Sequence, residues 1–266
     1  MQNESNVTII SNKYKDSIEK IYQGLYSCII DIADIYGTNA ICSAETMQTI
    51  FQRIDAQSTS KLFFLGNGNF HYLSYGILKK IKTPFTLIVY DHHNDAGKLA
   101  YKDLISCGSW INDAVLYLPN LKRVYIIGVG EEQEKEMLSE VGQKIEIIRE
   151  EEMTDEKMVE ISETIPTTDI YVSVDRDILS EKEVQTNWNQ GNIKIEKLIQ
   201  SIDLVLHDHQ LIGADVCGDL EWDYTSEFRY PITEYRKKSA AINKRLFDFL
   251  AKKMKQVSVA FTLKKL

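Results

Sequence analysis

The 266-residue sequence lacks any long apolar run. Its apolar stretches reach about six residues, whereas a helix that spans a bilayer needs roughly 20. The amino-terminal residues Met1–Asn6 have neither the basic start nor the apolar core of a secretion signal. We therefore expect a soluble protein that does not enter membranes and that works in the cytoplasm.

Cysteine is scarce and scattered. The four cysteines, Cys28, Cys42, Cys107 and Cys217, form no CxxC pair, so the sequence predicts neither a zinc knuckle nor a disulfide framework. The formal net charge is -8, from 31 Lys and Arg against 39 Asp and Glu. Proteins that bind nucleic acid usually present a concentrated basic face, so this composition argues against such a partner.

Short apolar runs alternate with helical patterns along most of the chain. Runs that are apolar on both faces and separated by helices are typical of a parallel sheet between two helix layers. We therefore predict a single α/β domain over residues 1–266, with a three-layer α/β/α fold and a mostly parallel sheet. The predicted strands are Lys61–Leu65, Phe85–Tyr90, Val124–Val129, Ile145–Ile148, Ile170–Val174, Leu211–Val216 and Val257–Leu263.

Helices are predicted where apolar residues recur every three or four positions. An amphipathic helix is expected over Lys15–Asp34, a second one after Ser43 and a long one over Thr233–Lys255. The first 60 residues are thus predicted to be helical. Ser180–Glu183 matches a capping box, which predicts that a further helix begins just after Asp177.

Two acidic motifs follow predicted strands. Asp91–Asp95 comes after the run that ends at Tyr90, and Ser173–Asp177 closes another run. In an extended backbone alternate side chains share one face, so Asp91, His93 and Asp95 are predicted to lie together. The two aspartates of the second motif are predicted to do the same. In α/β sheets this carboxyl edge is where ligands bind.

Four carboxylates that converge on one cavity would repel one another, and burial without cations would raise their pKa values until some became neutral. Divalent metals remove this conflict. Asp175 and Asp177 of the second motif, combined with the first motif, therefore indicate a two-metal hydrolase site. His71 follows the turn Gly66–Asn69 after a predicted strand, so it too can reach this edge.

These pieces, in this order, resemble the arginase, agmatinase and formimidoylglutamase family of ureohydrolases. In that family a histidine after a glycine-rich turn, an Asp-x-His-x-Asp motif and an Asp-x-Asp motif preceded by Ser supply the ligands of two manganese ions. The resemblance covers residues 62–219 and leaves the first 60 residues poorly matched. It implies His71, Asp91, Asp95 and Asp175 as ligands of one metal, and His93, Asp91, Asp175 and Asp177 as ligands of the other. This oxygen-rich set suits Mn²⁺.

The sequence departs from the family at two functional positions. Cys107 stands near the position where arginases carry a catalytic histidine. It is predicted to be either a residue of the substrate pocket or a small buried thiol. Near two cations the thiol could also carry a proton or act as a further metal ligand. Gly218 falls where arginases carry the acid that binds the guanidinium group. Asp219 or Glu221 is then left to bind the substrate.

A turn after the second motif contains Asn187 and Trp188. An amide beside an aromatic ring suits the recognition of a polar substrate, although an ordinary turn is equally compatible with the pattern. Asp215 is predicted either to support the ligands from behind or to cap a helix. His92 is predicted to face away from the metals.

The resemblance implies a hydrolase in which a hydroxide held between two metals attacks a C–N bond of a guanidino group, free or carried by a peptide. Asp177 would accept a hydrogen bond from that hydroxide. Two alternatives stay open. One is a metal-dependent amide hydrolase related to deacetylases, and the other is a non-catalytic binding protein that retains the metals. The resemblance also suggests a homo-oligomer.

Overall fold

The computed structural model describes residues 7–12, 21–22, 24–99, 101, 103–131, 139–221 and 231–263. The strands are β1 (Val7–Ser11), β2 (Cys28–Asp31), β3 (Ile41–Ser43), β4 (Leu62–Phe64), β5 (Phe85–Tyr90), β6 (Leu104–Ser106), β7 (Leu121–Val129), β8 (Ile145–Arg149), β9 (Asp169–Asp175) and β10 (Gln210–Cys217). The helices are α1 (Ala44–Gln57), α2 (Leu73–Leu78), α3 (Trp110–Tyr117), α4 (Ser139–Gly142), α5 (Asp155–Thr164), α6 (Ile195–Val205) and α7 (Ile232–Leu263). Within these ranges, no helix has both the length and the apolar character needed to cross a membrane.

Eight of these strands form one parallel sheet in the order β2-β1-β4-β10-β9-β5-β7-β8. Alternate side chains of β5 enter two different cores. Val89 packs in the same cluster as Ile50 of α1 and Ile111 of α3. Ile88 instead belongs to the cluster that contains Met158 of α5 and buried residues of α6 and α7. The sheet therefore lies between two helix layers, which confirms the predicted three-layer α/β/α fold.

The predicted strands after residue 60 are found in the sheet, with one exception. The run Val257–Leu263 was predicted as a final strand and this prediction is wrong, because these residues belong to α7. Leu246, Leu250 and Met254 recur every four residues before the run. The helix that contains them continues without a break to Leu263, so the observed helix is longer than the predicted one, Thr233–Lys255.

The amino-terminal region also differs from its prediction. Residues 15–20 and 23 of the predicted helix Lys15–Asp34 lie outside the described residues, but Cys28–Asp31 forms β2 and pairs in parallel with β1. The spacing of Ile29, Ile30 and Ile32 fits a helix, yet the open edge of β1 supplies hydrogen bonds that favour a strand. The prediction of a helical first 60 residues is therefore wrong where β1, β2 and β3 lie.

The capping-box pattern at Ser180–Glu183 gives only one turn. The backbone N–H of Glu183 donates to the Ser180 carbonyl oxygen at 2.9 Å, and the next helix, α6, begins at Ile195. The prediction of a helix just after Asp177 is thus wrong. A local capping pattern starts a helix only when an apolar face follows that can pack on the sheet.

Four neighbouring strands, in the order β4-β10-β9-β5, bring their carboxyl ends to the same edge. His71 follows β4 through a short 3-10 helix at Gly68–Phe70. Asp91 follows β5 directly, Asp175 is the last residue of β9, and Cys217 is the last residue of β10. The parallel topology therefore gathers polar side chains from distant parts of the chain.

Gly128 in β7 packs closely against the segments that carry both acidic motifs. Its φ is +101°, a conformation that favours glycine. A Cβ atom there would lie 2.3 Å from Cδ1 of Ile178 and 3.3 Å from the carbonyl oxygen of Asp91. Any larger residue would push against the segments that carry the two motifs.

We therefore expect Gly128→Ala to lower the free energy of unfolding by about 1–3 kcal/mol, through backbone strain and overpacking. Denaturant unfolding of the metal-free protein measures the change. Gly142→Ala is the matched control, because a Cβ atom there meets no heavy atom of the described residues within 4 Å. Equal stability of the two variants would contradict this account of Gly128.

Candidate metal centre

The first motif turns as soon as its strand ends. The Oδ1 atom of Asp91 accepts a hydrogen bond from the backbone N–H of His93 at 2.6 Å, and Asp95 has a left-handed backbone with φ of 41°. The predicted extended alternation is therefore wrong here. An Asx turn, in which the aspartate binds the backbone two residues on, gathers the three side chains instead.

The second motif turns in the same way. Asp175 ends β9, and its Oδ1 atom accepts from the backbone N–H of Asp177 at 3.0 Å, which starts the short 3-10 helix Arg176–Ile178. The Oδ1 atom of Asp177 accepts from the backbone N–H of His92 at 3.1 Å. This last bond ties the two motifs together.

His71 reaches the same place from β4. The side-chain oxygen of Asn67 accepts from the backbone N–H of Asn69 at 2.8 Å and caps the short 3-10 helix before His71. A Cβ atom on Gly68 would lie 2.9 Å from Oδ2 of Asp175. Glycine at this turn therefore lets the backbone approach the carboxylates closely.

Hydrogen bonds behind His71 fix its tautomer. Asp215 accepts from the Tyr171 hydroxyl at 2.8 Å and from the Ser173 hydroxyl at 2.6 Å. Since the Ser173 proton is given to Asp215, its oxygen accepts from Nε2–H of His71, at 2.9 Å. Neutral His71 therefore carries its lone pair on Nδ1, and Asp215 supports a candidate ligand from behind.

The Nδ1 atom of His71 faces carboxylate oxygens. It lies 2.9 Å from Oδ2 of Asp95, 3.2 Å from Oδ2 of Asp91 and 3.8 Å from Oδ2 of Asp175. The His71 side chain is fully buried, and no group among the described residues hydrogen-bonds Nδ1. An imidazole nitrogen among carboxylate oxygens is a set of donors that divalent metals bind, so these residues fit a divalent metal.

His93 forms a second group of candidate ligands beside the group around His71. The Nδ1 atom of His93 lies 2.9 Å from Oδ2 of Asp177 and 3.5 Å from Oδ1 of Asp91. Asp91 thus faces His71 with one oxygen and His93 with the other. The structure thus places Asp91 between the two imidazoles and brings together all six residues expected as ligands.

The electrostatics of the cluster follow from its burial. Burial and the charge of Asp91 raise the pKa of Asp175, and burial with the charges of Asp175 and Asp91 raises the pKa of Asp177 well above its usual range. Burial opposes protonation of His93, but hydrogen bonds to Asp177 and Asp91 raise its pKa to about 11. In the metal-free protein, protons therefore take the place of cations.

Two residues of the cluster escaped the sequence analysis as site residues. The indole Nε1–H of Trp110, the first residue of α3, donates to Oδ2 of Asp95 at 3.0 Å. The thiol of Cys217 donates to Oδ2 of Asp175 at 3.0 Å. The position of Cys217 at a strand end was a usable signal, whereas no local pattern marks Trp110.

Cys107 is placed differently. It is partly buried, its backbone N–H donates to the Ala40 carbonyl oxygen at 2.9 Å, and it is in none of the ligand groups found among the described residues. His92 is likewise in none of them, and its ring packs where a side chain on Gly130 would lie. The placement of His92 matches its expected position outside the ligand set.

Three residues predicted to bind the substrate, Trp188, Asn187 and Glu221, are connected by hydrogen bonds to the turn before His71 or to each other, and we call them the rim. The Trp188 ring lies 5.8 Å from the His93 ring, its Nε1–H donates to Oδ1 of Asn69 at 3.0 Å, and 44% of the residue is exposed. The side-chain oxygen of Asn187 accepts from the backbone N–H of Glu221. The carboxylate of Glu221 accepts from the Asn67 amide at 3.4 Å.

Asp219 does not belong to this rim. One of its oxygens is paired with the guanidinium of Arg176, and the other accepts from the Tyr22 hydroxyl at 2.6 Å. Arg176 is fully buried and also donates to Ser239 and Asn243 of α7, at 2.8 Å each. The substrate-binding role predicted for Asp219 is corrected, because the arginine already occupies its carboxylate and anchors α7 to the second motif.

The fold is a parallel α/β/α sheet, and its carboxyl edge gathers buried aspartates and histidines into groups that could hold a metal ion. The model of the arginase family matches residues 10–218, and the chain belongs to this family. The match begins in β1, earlier than the predicted start of the resemblance near residue 62. The family prediction is confirmed.

Other proteins resemble this chain in sequence or in fold. An uncharacterised protein of Thermotoga maritima is 33% identical over 156 residues, which are 59% of this chain and 57% of that protein. The agmatine ureohydrolase of Thermoplasma volcanium has a similar fold, with a TM-score of 0.62 at 12% identity over 95% of this chain and 92% of that one. The formiminoglutamase of Trypanosoma cruzi, solved with Mn²⁺, gives 0.62 at 11% identity over 94% of each chain.

The pKa shifts predict how pH acts on the metal-free protein. The pKa of His93 is raised in the folded state, so its contribution to stability is fully present below pH of about 6.5 and is lost as the pH rises towards about 11. The raised pKa values of Asp175 and Asp177 act in the same direction. We expect the metal-free protein to lose stability between neutral and alkaline pH.

Thermal unfolding at a series of pH values, after treatment with a chelator, measures this dependence. His93→Gln is expected to flatten the curve above pH of about 6.5. Added divalent metal is expected to stabilise the protein more as the pH rises, because its ligands must lose protons. A metal-free protein whose stability increases between pH of about 7 and about 9 would contradict the proposed charge states.

Proposed function

We propose that the protein is a dinuclear-metal-dependent hydrolase that cleaves a C–N bond of a guanidino-type substrate. The observation that carries the proposal is the buried Nδ1 atom of His71, which faces carboxylates of Asp91, Asp95 and Asp175 and has a second imidazole beside it. Membership of the arginase family supports hydrolysis as the reaction class.

The proposed ligands divide into two subsites. The His71 subsite takes His71, Asp91, Asp95 and Asp175, and the His93 subsite takes His93, Asp91, Asp175 and Asp177. Their oxygen-rich composition suits Mn²⁺. Two divalent cations, when bound, would lower the pKa of water and polarise the substrate.

Asp177 is the proposed proton acceptor of the reaction. Its Oδ1 atom is held by the backbone N–H of His92, and its Oδ2 atom lies beside His93. Burial and the neighbouring carboxylates of Asp175 and Asp91 raise its pKa well above the usual range, which makes this carboxylate a stronger proton acceptor than an ordinary aspartate. Cys107 is assigned no proton-carrying role here, because none of the described ligand groups includes it.

The rim is proposed to bind the substrate. The exposed face of Trp188 can accept a planar cation such as a guanidinium group, and Glu221 and Asn187 offer a carboxylate and an amide at the same side. Gly218 contributes no acid, and a Cβ atom there would lie 2.5 Å from Oδ1 of Asp175. Specificity for a small molecule or a peptide-borne guanidino group therefore depends on this rim.

Asp175→Asn tests the centre. We expect it to lose bound metal and to lower hydrolysis at least about 100-fold, since a ligand shared by both subsites is removed. The assay measures metal content and the release of urea or ammonia from arginine, agmatine, guanidinobutyrate and formimidoylglutamate. Asp169→Asn, at the opposite end of β9, is the matched control.

The outcomes separate the competing functions. If the wild type binds no metal and Asp175→Asn leaves hydrolysis unchanged, the proposed metal centre is overturned. Two bound metals without turnover of any guanidino compound would favour a binding protein that retains the metals, and release of an acid from an amide substrate would favour the amide hydrolase.

Trp188→Ala tests the rim. We expect KM for the guanidino substrate to rise about 5- to 30-fold, which corresponds to the loss of a cation–π contact, while metal content stays unchanged. Trp188→Phe keeps an aromatic face but loses the hydrogen bond to Asn69, so a smaller rise in KM is expected. An unchanged KM in Trp188→Ala would remove Trp188 from the substrate site.

A further inference from the structure

Cys217 occupies a position from which it can contribute to the metal centre itself. It is the last residue of β10, its side chain is 2% exposed, and it is paired in register with Asp175, the last residue of β9. Because paired residues of adjacent strands point to the same face, the thiol and this carboxylate lie side by side. The Sγ atom is 3.0 Å from Oδ2 of Asp175.

His71 lies beside two successive pairs of inward-facing residues of β9 and β10, which we call the lower and the upper rung. On the lower rung, Ser173 pairs with Asp215 and holds Nε2–H of His71. On the upper rung, Asp175 pairs with Cys217 and faces Nδ1, which has no hydrogen-bond partner among the described residues. The lower rung therefore orients the imidazole, and the upper rung offers donors on the side of its lone pair.

The geometry of the upper rung meets the requirement of a ligand group. One ligand atom each of His71, Asp175 and Cys217 lie within 4.8 Å of one another, and all three residues are buried. The fully buried Nδ1 atom, which has no hydrogen-bond partner among the described residues, is an observation independent of the thiol. It lies 3.8 Å from Oδ2 of Asp175, the same oxygen that the thiol contacts.

We propose that Cys217 is a direct ligand of the metal at the His71 subsite, as a thiolate. The inference rests on the metal centre proposed above and extends it. On binding, the S–H bond breaks, a sulfur–metal bond forms and the proton leaves to the solvent. Asp175 loses the hydrogen bond from the thiol and is free to bind the metal with that oxygen.

A sulfur donor makes the two subsites unequal. Thiolate ligands select softer metals, whereas sites of carboxylate and imidazole accept Mn²⁺. The His71 subsite with Cys217 should therefore prefer Zn²⁺ or Co²⁺, and the His93 subsite, with no cysteine in its ligand group among the described residues, should keep Mn²⁺. This refines the manganese proposal at one of the two positions.

Cobalt titration of the chelator-treated protein tests the inference without measuring activity. A sulfur ligand gives a near-ultraviolet sulfur-to-cobalt charge-transfer band, in addition to the visible bands that any cobalt site shows. We expect this band in the wild type and in Cys107→Ser, the matched control, which removes a partly buried thiol outside the ligand groups of the described residues. We expect Cys217→Ser to lose the charge-transfer band while it keeps the visible bands.

Metal competition gives a second measurement. Cys217→Ser should weaken Zn²⁺ binding by at least about tenfold, and Mn²⁺ binding should change much less. X-ray absorption of zinc-loaded wild type needs no variant, so it decides the case even if Cys217→Ser does not fold. A sulfur neighbour at about 2.3 Å from zinc is expected, and it should remain in Cys107→Ser.

The possible failures are distinguishable. Cobalt bound with visible bands but without a charge-transfer band, or zinc surrounded only by nitrogen and oxygen, would overturn the role of Cys217 and leave the proposed metal centre intact. The thiol would then only donate its hydrogen bond to Asp175. If the wild type binds neither cobalt nor zinc, the metal centre falls together with this inference.

Discussion

Mutual repulsion among the buried carboxylates of Asp91, Asp95, Asp175 and Asp177 is the constraint on which the site depends. Charges removed from water must be paired, and among the described residues the side chains that can pair with these carboxylates as cations are two imidazoles. The imidazole lone pair at Nδ1 of His71 is fixed by hydrogen bonds behind it. The surrounding structure thus maintains an arrangement that is stable only with protons or metal cations present.

The sheet creates this arrangement by placing four strand ends side by side. Neighbouring parallel strands keep their residues in register, so pairs such as Ser173 with Asp215 and Asp175 with Cys217 form successive layers beneath and within the centre. Arg176 connects the second motif to α7 through hydrogen bonds to Ser239 and Asn243. Rigid support of this kind holds ligands in place before a metal arrives.

The ligands were predictable because their signal is local. Asp91 follows a buried strand and Asp175 ends one, and this pattern indicates the carboxyl edge of a parallel sheet. Ligands bind at that edge. Details of the turns were not predictable, since hydrogen bonds of the aspartates with the following backbone replaced the expected extended chain. The strand Cys28–Asp31 was missed because its pairing with β1 comes from residues far apart in sequence.

The sequence by itself determined the layered α/β architecture, the family and six candidate ligands, because apolar periodicity and short motifs express local preferences. Tertiary structure alone decided which other side chains enter the centre. Asp219 is taken by Arg176, Trp188 stands at the rim, and Cys217 lies beside Asp175. These outcomes depend on strand order and register, which set the distance between residues remote in the chain and which no local pattern encodes.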